Sequence, residues 1–167
     1  MADTELLERA REYAQRRSLV VHDRLGAGVH GIVFVAESQH LFGRSAIKVH
    51  EREKAYRAER DVYVRLQSRG VTRVQGCSVP QLLAFDNALW IIDMTIVVKP
   101  YVLDFAGAYL DQRPDFSVET LAEWRAEKRE QFGDDWTEVE RILWTLEGYG
   151  IYLLDISPNN ICLDEGD

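Results

Sequence analysis

A glycine-rich segment between β-rich runs is the feature that most constrains the fold of this chain. Gly26, Gly28 and Gly31 lie between two runs of β-branched and aromatic residues, and a third such run follows a turn at Gly43. Short runs of this kind, bounded by glycine, are typical of neighbouring strands joined by tight turns. The sequence therefore predicts an antiparallel three-stranded meander. Its strands are expected at 18–25, 32–37 and 44–50.

Two helices and two more strands are predicted in the same half of the chain. Apolar residues recur at helical spacing over 51–68, and β-rich runs follow at 82–85 and 89–98. An amphipathic segment at 4–17 precedes the first strand and predicts a helix on the outside of the sheet. From the first strand onward the predicted order is β-β-β-α-β-β, a five-stranded antiparallel sheet with a helix.

The pattern becomes mostly helical after Pro100. Ser117 is a typical N-cap for one helix, and Asp134 or Asp135 opens a second. Short β-rich runs at 151–154 and 161–163 then flank a polar loop. This region is therefore expected to be a reduced, mostly helical lobe with two short strands.

Length and composition predict one compact domain. A chain of 167 residues falls within the usual range for a single domain, and 46% hydrophobic with 29% charged residues is ordinary for a globular protein. We expect an α+β fold over 1–167. Its N-terminal lobe is predicted over 1–98 and its C-terminal lobe over 99–167.

The acidic charge balance excludes two classes of partner. A net charge of −8 and a pI near 5.1 argue against binding to nucleic acid or to an anionic membrane, since both need clustered Lys and Arg. No apolar run approaches the roughly 18 residues that a membrane span needs. The first residues, 1–5, lack the basic-then-apolar order of a signal peptide. We therefore expect a cytoplasmic protein that binds neither nucleic acid nor membrane.

The three glycines match a G-x-G-x-x-G pattern, which has three interpretations. In a dinucleotide-binding site the third glycine opens a helix, but here Gly31 precedes Ile32-Val33-Phe34-Val35, a poor helix start. In a strand-loop-strand flap, glycines let backbone N–H groups approach phosphate oxygens without a side-chain clash. A plain hairpin turn is the third interpretation. The β-rich flanks favour the flap.

Lys48 and Glu59 are predicted to form an ion pair. Lys48 interrupts an apolar strand, where alternation alone would place it in solvent. Glu59 lies in the middle of an apolar helix face, and burying its charge is costly unless a cation pairs with it. The adjacent strand offers Lys48; the alternative is a glutamate at the rim of the helix face. The apolar face consists of Ala55, Tyr56, Val62, Tyr63 and Leu66.

The loop at 155–160, Asp-Ile-Ser-Pro-Asn-Asn, carries a second set of polar candidates. Asp155 and Asn160 are five positions apart, a spacing that suits a loop orienting a hydroxyl and holding Mg²⁺. The same residue types also make ordinary turns, so the loop is weak support when taken alone.

Taken in chain order, these features resemble the protein kinases. That family has a glycine-rich loop, a strand lysine, a helix glutamate and a catalytic loop ending in Asn, all in this order. The resemblance implies that Gly26, Gly28, Gly31, Val33 and Lys48 bind ATP. It further implies that Glu59 holds Lys48, that Asp155 orients the attacking hydroxyl and that Asn160 binds Mg²⁺.

The chain departs from the kinase pattern in two ways. Leu153-Leu154 replaces the His-Arg that precedes the catalytic aspartate in that family. The arginine that would bind a phosphorylated activation loop is therefore absent from this position. No Asp-Phe-Gly follows Asn160, so the principal metal-binding aspartate of that family is not visible. Asp104 precedes the catalytic loop in Asp-Phe-Ala-Gly and is interpreted as part of a connector after the fifth strand. Asp164 and Asp167 are expected at a hairpin tip rather than at a metal.

Three hypotheses of function follow. The first is a phosphotransferase that moves the γ-phosphoryl group of ATP to a hydroxyl, by resemblance a protein Ser or Thr. The second is a pseudokinase-type module that holds a nucleotide or a partner protein without transfer, favoured by the missing Asp-Phe-Gly. The third is a plain α+β domain with accidental motif matches.

Overall fold

The computed structural model describes residues 2–41 and 43–163, which form an α+β fold. Four α-helices and eleven short or medium strands are assigned within these residues. The helices are α1 (Ala2–Arg16), α2 (Glu53–Ser68), α3 (Val118–Phe132) and α4 (Trp136–Gly148). The strands are β1 (Leu19–Gly28), β2 (Gly31–Ser38), β3 (Arg44–His50), β4 (Arg73–Val74), β5 (Cys77–Ser78), β6 (Leu82–Asp86), β7 (Ile91–Met94), β8 (Tyr101–Val102), β9 (Tyr109–Leu110), β10 (Ile151–Tyr152) and β11 (Ile161–Cys162).

The largest sheet has five antiparallel strands in the order β1-β2-β3-β7-β6. The predicted meander and the two strands after α2 are therefore confirmed. Strand β7 is shorter than the predicted 89–98, because Trp90 takes a left-handed backbone conformation before it (φ 52°) and the chain leaves the sheet after Met94.

The glycine-rich segment forms the end of a β-hairpin, here called the glycine hairpin (residues 26–31). Strands β1 and β2 stay paired up to Gly28 opposite Gly31, so only Val29 and His30 make the turn. The structure thus has the strand-loop-strand arrangement and no helix after Gly31.

Two small sheets, which the sequence did not predict as sheets, bring distant segments together. Strand β8 pairs with β11 in antiparallel fashion and with β5 in parallel, while β9 pairs with β10. As a result residues 101–110 lie beside residues 151–162, although about fifty positions separate them in the chain. These pairings position the candidate site described below.

A continuous core joins the two predicted lobes. The inner face of the large sheet and α2 pack with α4 and with Val102, Phe105, Ile151 and Ile161. A second cluster packs α1 against the opposite face of the sheet, as predicted for the N-terminal helix. Within the described residues, no helix combines the length and apolar character that a membrane crossing requires.

Both predicted C-terminal helices are present. Ser117 caps α3, since its Oγ accepts a hydrogen bond from Thr120 N at 3.1 Å. Helix α4 follows a single 3₁₀ turn at Gly133–Asp135 and buries Trp136, so the predicted start at Asp134 or Asp135 falls on that turn.

Gly31 should tolerate substitution far less well than Gly26. Gly31 has φ 152°, and a Cβ there would run into the Val49 backbone carbonyl, whereas a Cβ at Gly26 meets nothing within 4 Å. We expect Gly31→Ala to lower the free energy of unfolding by about 3 kcal/mol or more. Gly26→Ala, the matched control, should change it by about 1 kcal/mol or less. Urea unfolding of both variants measures the difference, and equal effects would contradict this account of the hairpin.

Candidate functional site

Lys48 is buried because both faces of β3 are covered. It lies at the centre of the sheet, opposite Val33 on β2 and Ile92 on β7. Alternation along β3 turns Ile47 and Val49 toward α1, and Lys48 toward α2. The solvent-facing alternative therefore fails, because neither side of this strand faces water. Only 7% of the Lys48 side chain is exposed.

The predicted Lys48–Glu59 pair is confirmed. Lys48 Nζ lies 2.7 Å from Glu59 Oε2, and only 1% of the glutamate side chain is exposed. Glu59 Oε2 also lies 2.6 Å from His50 Nε2. Glu59 Oε1 accepts a hydrogen bond from the Phe105 backbone N–H at 3.2 Å. Every oxygen of this buried carboxylate thus has a partner, which is the condition under which a charge is tolerated in a core.

His50 was not predicted to belong to this cluster. It is fully buried, with Nε2 against Glu59 and Nδ1 at 3.2 Å from the Trp90 backbone carbonyl. Both ring nitrogens therefore lie within hydrogen-bonding distance of an acceptor oxygen. Burial by itself raises the pKa of Glu59, but Lys48 and His50 outweigh it and lower the pKa to about 2.

Asp104 is the functional candidate that the sequence interpretation missed. Lys48 Nζ donates a hydrogen bond to Asp104 Oδ1 at 2.9 Å, so the ammonium lies between two carboxylates. Burial lowers the pKa of Lys48, yet Glu59 and Asp104 together raise it above its ordinary value. Asp104 also adopts φ 66°, a left-handed conformation that is found at functional sites more often than elsewhere.

The β8–β11 pairing explains how Asp104 arrives there. Leu103 N–H donates to the Asn160 carbonyl at 2.8 Å, which fixes the residue before Asp104 against the end of the 155–160 loop. The sequence order placed Asp104 before that loop and so suggested a connector. The segment that contains Asp104 is indeed a connector, and it also places the Asp104 carboxylate beside Lys48.

The 155–160 loop is held by its own side chains. Asn160 Oδ1 accepts from the Ser157 backbone N–H at 2.7 Å, and Asn160 Nδ2 donates to the Asp155 carbonyl at 3.2 Å. The Asp155 carboxylate lies 3.3 Å from His30 Nε2 at the tip of the glycine hairpin. It also packs against Gly107, where a Cβ would come within 2.9 Å of Asp155 Cβ.

All predicted site residues line one cavity of about 630 Å³, here called the main cavity. Its volume falls within the range of pockets that hold small ligands and cofactors. Its lining combines apolar side chains with charged groups. The predicted residues that line it are Gly26, Gly28, Gly31, Val33, Lys48, Glu59, Asp155 and Asn160, and Asp104 joins them. The apolar part of the lining includes Leu25, Ala46, Met94, Ile96 and Leu103.

The fold does not require glycine at two of the three hairpin positions. A Cβ at Gly26 has open space, and one at Gly28 makes only ordinary contact, 3.9 Å from Asp104 Oδ2. Both residues nevertheless line the main cavity. A small residue at Gly26 and Gly28 therefore matters for what approaches the backbone from the cavity, not for the hairpin itself.

Side-chain oxygens in the lining of the main cavity are of the kind that Mg²⁺ prefers. In proteins Mg²⁺ is held by one or two carboxylates and completes its shell with water and substrate phosphates. Asp104 Oδ2, the oxygen that does not receive the Lys48 bond, and the Asn160 side chain are candidates of this kind. No cluster of three or more His, Cys, Asp or Glu suited to a metal occurs in the part of the chain that the structure describes. Asp164 and Asp167 lie outside the described residues.

Comparison of this chain with protein-family models, with curated proteins and with solved structures gives no match. The function is therefore inferred from the side chains that meet in the main cavity.

Removing the charge of Glu59 should destabilise the fold strongly. Glu59→Gln leaves Lys48 and His50 buried beside a neutral amide, and we expect a loss of about 3 kcal/mol in the free energy of unfolding. Glu53→Gln is the matched control on the same helix, since Glu53 pairs with Arg57 at an exposed position. That substitution should cost less than about 1 kcal/mol. Similar losses for both variants would show that the buried pair is not what supports this region.

The stabilisation from Glu59 should depend on pH in the acid range. Because folding lowers the pKa of Glu59 from 4.5 to about 2, its contribution is complete above pH 4.5 and declines as the pH falls toward 2. The difference in unfolding free energy between the wild type and Glu59→Gln should therefore be constant near neutrality and shrink below pH 4.5. Urea titrations at a series of pH values measure this difference, and a gap that persists unchanged at pH 2.5 would contradict the assignment.

Proposed function

We propose that this protein is an ATP-dependent, kinase-like phosphotransferase that moves the γ-phosphoryl group to a hydroxyl acceptor. The observation that carries the proposal is the convergence of Lys48, Asp104 and Asp155 in one cavity beneath a glycine hairpin. Phosphoryl transfer needs little covalent chemistry from the protein; it needs positioning and compensation of negative charge. These groups are suited to both.

The lining of the main cavity suits both parts of ATP. Apolar residues such as Ala46 and Met94 suit a purine ring, and the glycine hairpin with Lys48 suits the phosphates. The raised pKa of Lys48 keeps the ammonium charged at neutral pH. Glu59 and Asp104 hold that ammonium at a fixed place, so little reorganisation is needed when phosphate oxygens arrive.

Asp104 and Asn160 would hold Mg²⁺ in this proposal. A bound Mg²⁺ would compensate the charge of the β- and γ-phosphate oxygens. Asp104 would take the role of the metal-binding aspartate that the resemblance to protein kinases places after the catalytic loop. Because Asp104 also accepts from Lys48, the same side chain keeps the ammonium close to the metal-binding position.

Asp155 is proposed to orient the acceptor. Its side chain is 67% exposed and faces the cavity, so an approaching hydroxyl can donate its proton to the carboxylate. The resemblance to protein kinases implies a protein Ser or Thr as acceptor and a cytoplasmic location. Regulation through an arginine before the catalytic aspartate is not part of the proposal, since Leu153-Leu154 occupy that place.

A non-catalytic nucleotide-binding module is the second candidate. The contact between His30 and Asp155 favours it, because a ring nitrogen lies at the oxygen that a hydroxyl would approach. The missing Asp-Phe-Gly supports this candidate less strongly, because Asp104 places a carboxylate beside Lys48 in the main cavity.

Mg·ATP should stabilise the wild-type protein against unfolding. At about 100 times its Kd, a ligand that binds only the folded state adds roughly 2.7 kcal/mol. Lys48→Ala should lose this stabilisation, whereas Lys54→Ala, at an exposed position on α2, should keep it. Thermal melts with and without Mg·ATP measure the effect. A melting temperature that no nucleotide concentration changes would remove both the enzyme and the nucleotide-binding candidate.

Two carboxylate variants should separate the roles. Asp104→Asn should bind ATP similarly with and without Mg²⁺, because the proposed metal ligand is lost. Asp155→Asn should retain the full Mg·ATP stabilisation but lose transfer of labelled phosphate. Transfer that persists in Asp155→Asn would assign the hydroxyl to another group, and absence of transfer in the wild type with intact binding would favour the non-catalytic module.

A further inference from the structure

A second cavity of about 280 Å³ opens beside Asp155; it is here called the side cavity. Asp155 belongs to the lining of both cavities. Gly107, against which the Asp155 side chain packs, also lines it. A molecule in the side cavity would therefore reach the same carboxylate that a nucleotide in the main cavity approaches.

The lining of the side cavity is aromatic and carries one charge. Tyr109, Phe116 and Trp124 contribute rings, and Asp155 is the only ionisable carboxylate or basic group among the lining residues. Trp124 is fixed in place, since its Nε1 donates to the Leu154 carbonyl at 3.0 Å and its ring packs edge-to-face on Trp136 at 6.1 Å. This is a preformed surface for an apolar face, and the Asp155 carboxylate is the one charged hydrogen-bond acceptor among its described lining residues.

Among the described residues, no lysine, arginine or histidine belongs to the lining of the side cavity. Two arginines near this region are paired with carboxylates, Arg65 with Asp111 at 2.6 Å and Arg113 with Glu147 at 2.8 Å. Because Asp155 is the one charged group in the lining that the structure describes, an anionic ligand is disfavoured there, whereas a neutral or cationic ligand is not repelled, and aromatic rings attract cations.

We propose that the side cavity binds the phosphoryl acceptor, and that the acceptor is a small alcohol without negative charge whose apolar face lies on Phe116 and Trp124. This inference rests on the proposed function. The alcohol oxygen forms a bond to the γ-phosphorus, and the bond from that phosphorus to the β,γ-bridging oxygen breaks. ADP leaves with the electron pair, and the hydroxyl proton passes to the Asp155 carboxylate.

The size of the cavity favours a small molecule over a protein segment. A volume of 280 Å³ lies just below the usual range for sites that enclose drug-sized ligands, and it is too small for several residues of an extended chain. The cavity closes around Asp155 from β9, from the segment before α3 and from α3 itself. A protein Ser or Thr is the alternative acceptor, and the experiment below distinguishes the two.

The test uses three alcohols of matched size and different charge: 4-(hydroxymethyl)benzamide, 4-(aminomethyl)benzyl alcohol and 4-(hydroxymethyl)benzoate. Calorimetric titration into the full chain, loaded with Mg·ADP, measures their dissociation constants. We expect the amide and the amine to bind at least about tenfold more tightly than the benzoate. Asp155→Asn should remove most of this discrimination, because the repelling charge is gone.

Phe116→Ala is the structural test, with Val118→Ala as its matched control. Both are apolar truncations at exposed positions of the same segment, but only Phe116 lines the side cavity. Phe116→Ala should weaken binding of the amide about fivefold, and Val118→Ala should change it by less than about twofold. Mg·ATP stabilisation should be unchanged in both, which shows that the nucleotide site is intact.

The outcomes separate this inference from the proposed function. Loss of Mg·ATP stabilisation in the wild type would overturn the proposed function and this inference with it. Intact nucleotide binding combined with equal binding of the three alcohols, or with no binding of any, would overturn the acceptor site alone. Phosphorylation of a Ser-containing peptide at a rate unaffected by Phe116→Ala would overturn it in favour of a protein acceptor.

Discussion

The buried ion cluster around Lys48 is the interaction on which the rest of the structure depends. Lys48 comes from the central strand β3, Glu59 from α2, and Asp104 from the connector after β8, so one ammonium joins three segments that are distant in the chain. Such a cluster is stable only when each charge has its partner, since the cost of burying an unpaired ion exceeds the gain from packing around it. His50 and the Phe105 N–H complete the set by occupying the remaining sides of Glu59. The cluster therefore fixes the sheet, the helix and the connector at the same time, and it does so at the wall of the main cavity.

The parts of this arrangement that sequence could predict are those written in local patterns. Glycine turns between β-branched runs predicted the meander. The Glu59 carboxylate in an apolar helix face predicted a partner cation, and Lys48 on the neighbouring strand was the unpaired charge available. Asp104 could not be found in this way. It reaches Lys48 through β8 and β11, pairings of two residues each, which are too short to leave a periodic signal. Its left-handed backbone is likewise a tertiary outcome, since Asp is tolerated in that conformation but does not require it. His50 was missed for a related reason: a histidine at the end of a strand carries no sign of what a later helix places against it.

Asp104 also shows why chain order is a poor guide to which side chains meet in a cavity. The order of motifs in protein kinases favours an aspartate after Asn160 as the metal ligand. Proximity in space is what a metal requires, and here the antiparallel pairing of β8 with β11 sets Leu103 directly against Asn160. The carboxylate that follows Leu103 thus lines the same cavity as Asn160. A segment that comes earlier in the chain is therefore a candidate for the role that the kinase pattern gives to a later one.

The contact between the glycine hairpin and Asp155 is compatible with transfer because it is weak. Asp155 is 67% exposed and the His30 side chain is 24% exposed, and ion pairs at such positions contribute at most about 1 kcal/mol. Val29 lies almost entirely in solvent, and the backbone of the turn is tied to the end of β3 by a hydrogen bond from Glu51 N–H to the His30 carbonyl at 3.1 Å. A change of the His30 side-chain rotamer therefore breaks one weak contact and involves neither this backbone bond nor the Lys48 cluster. If an acceptor binds in the side cavity as proposed, its hydroxyl and His30 would compete for the Asp155 carboxylate, and a single hydrogen bond to the acceptor would offset the loss of so weak a contact.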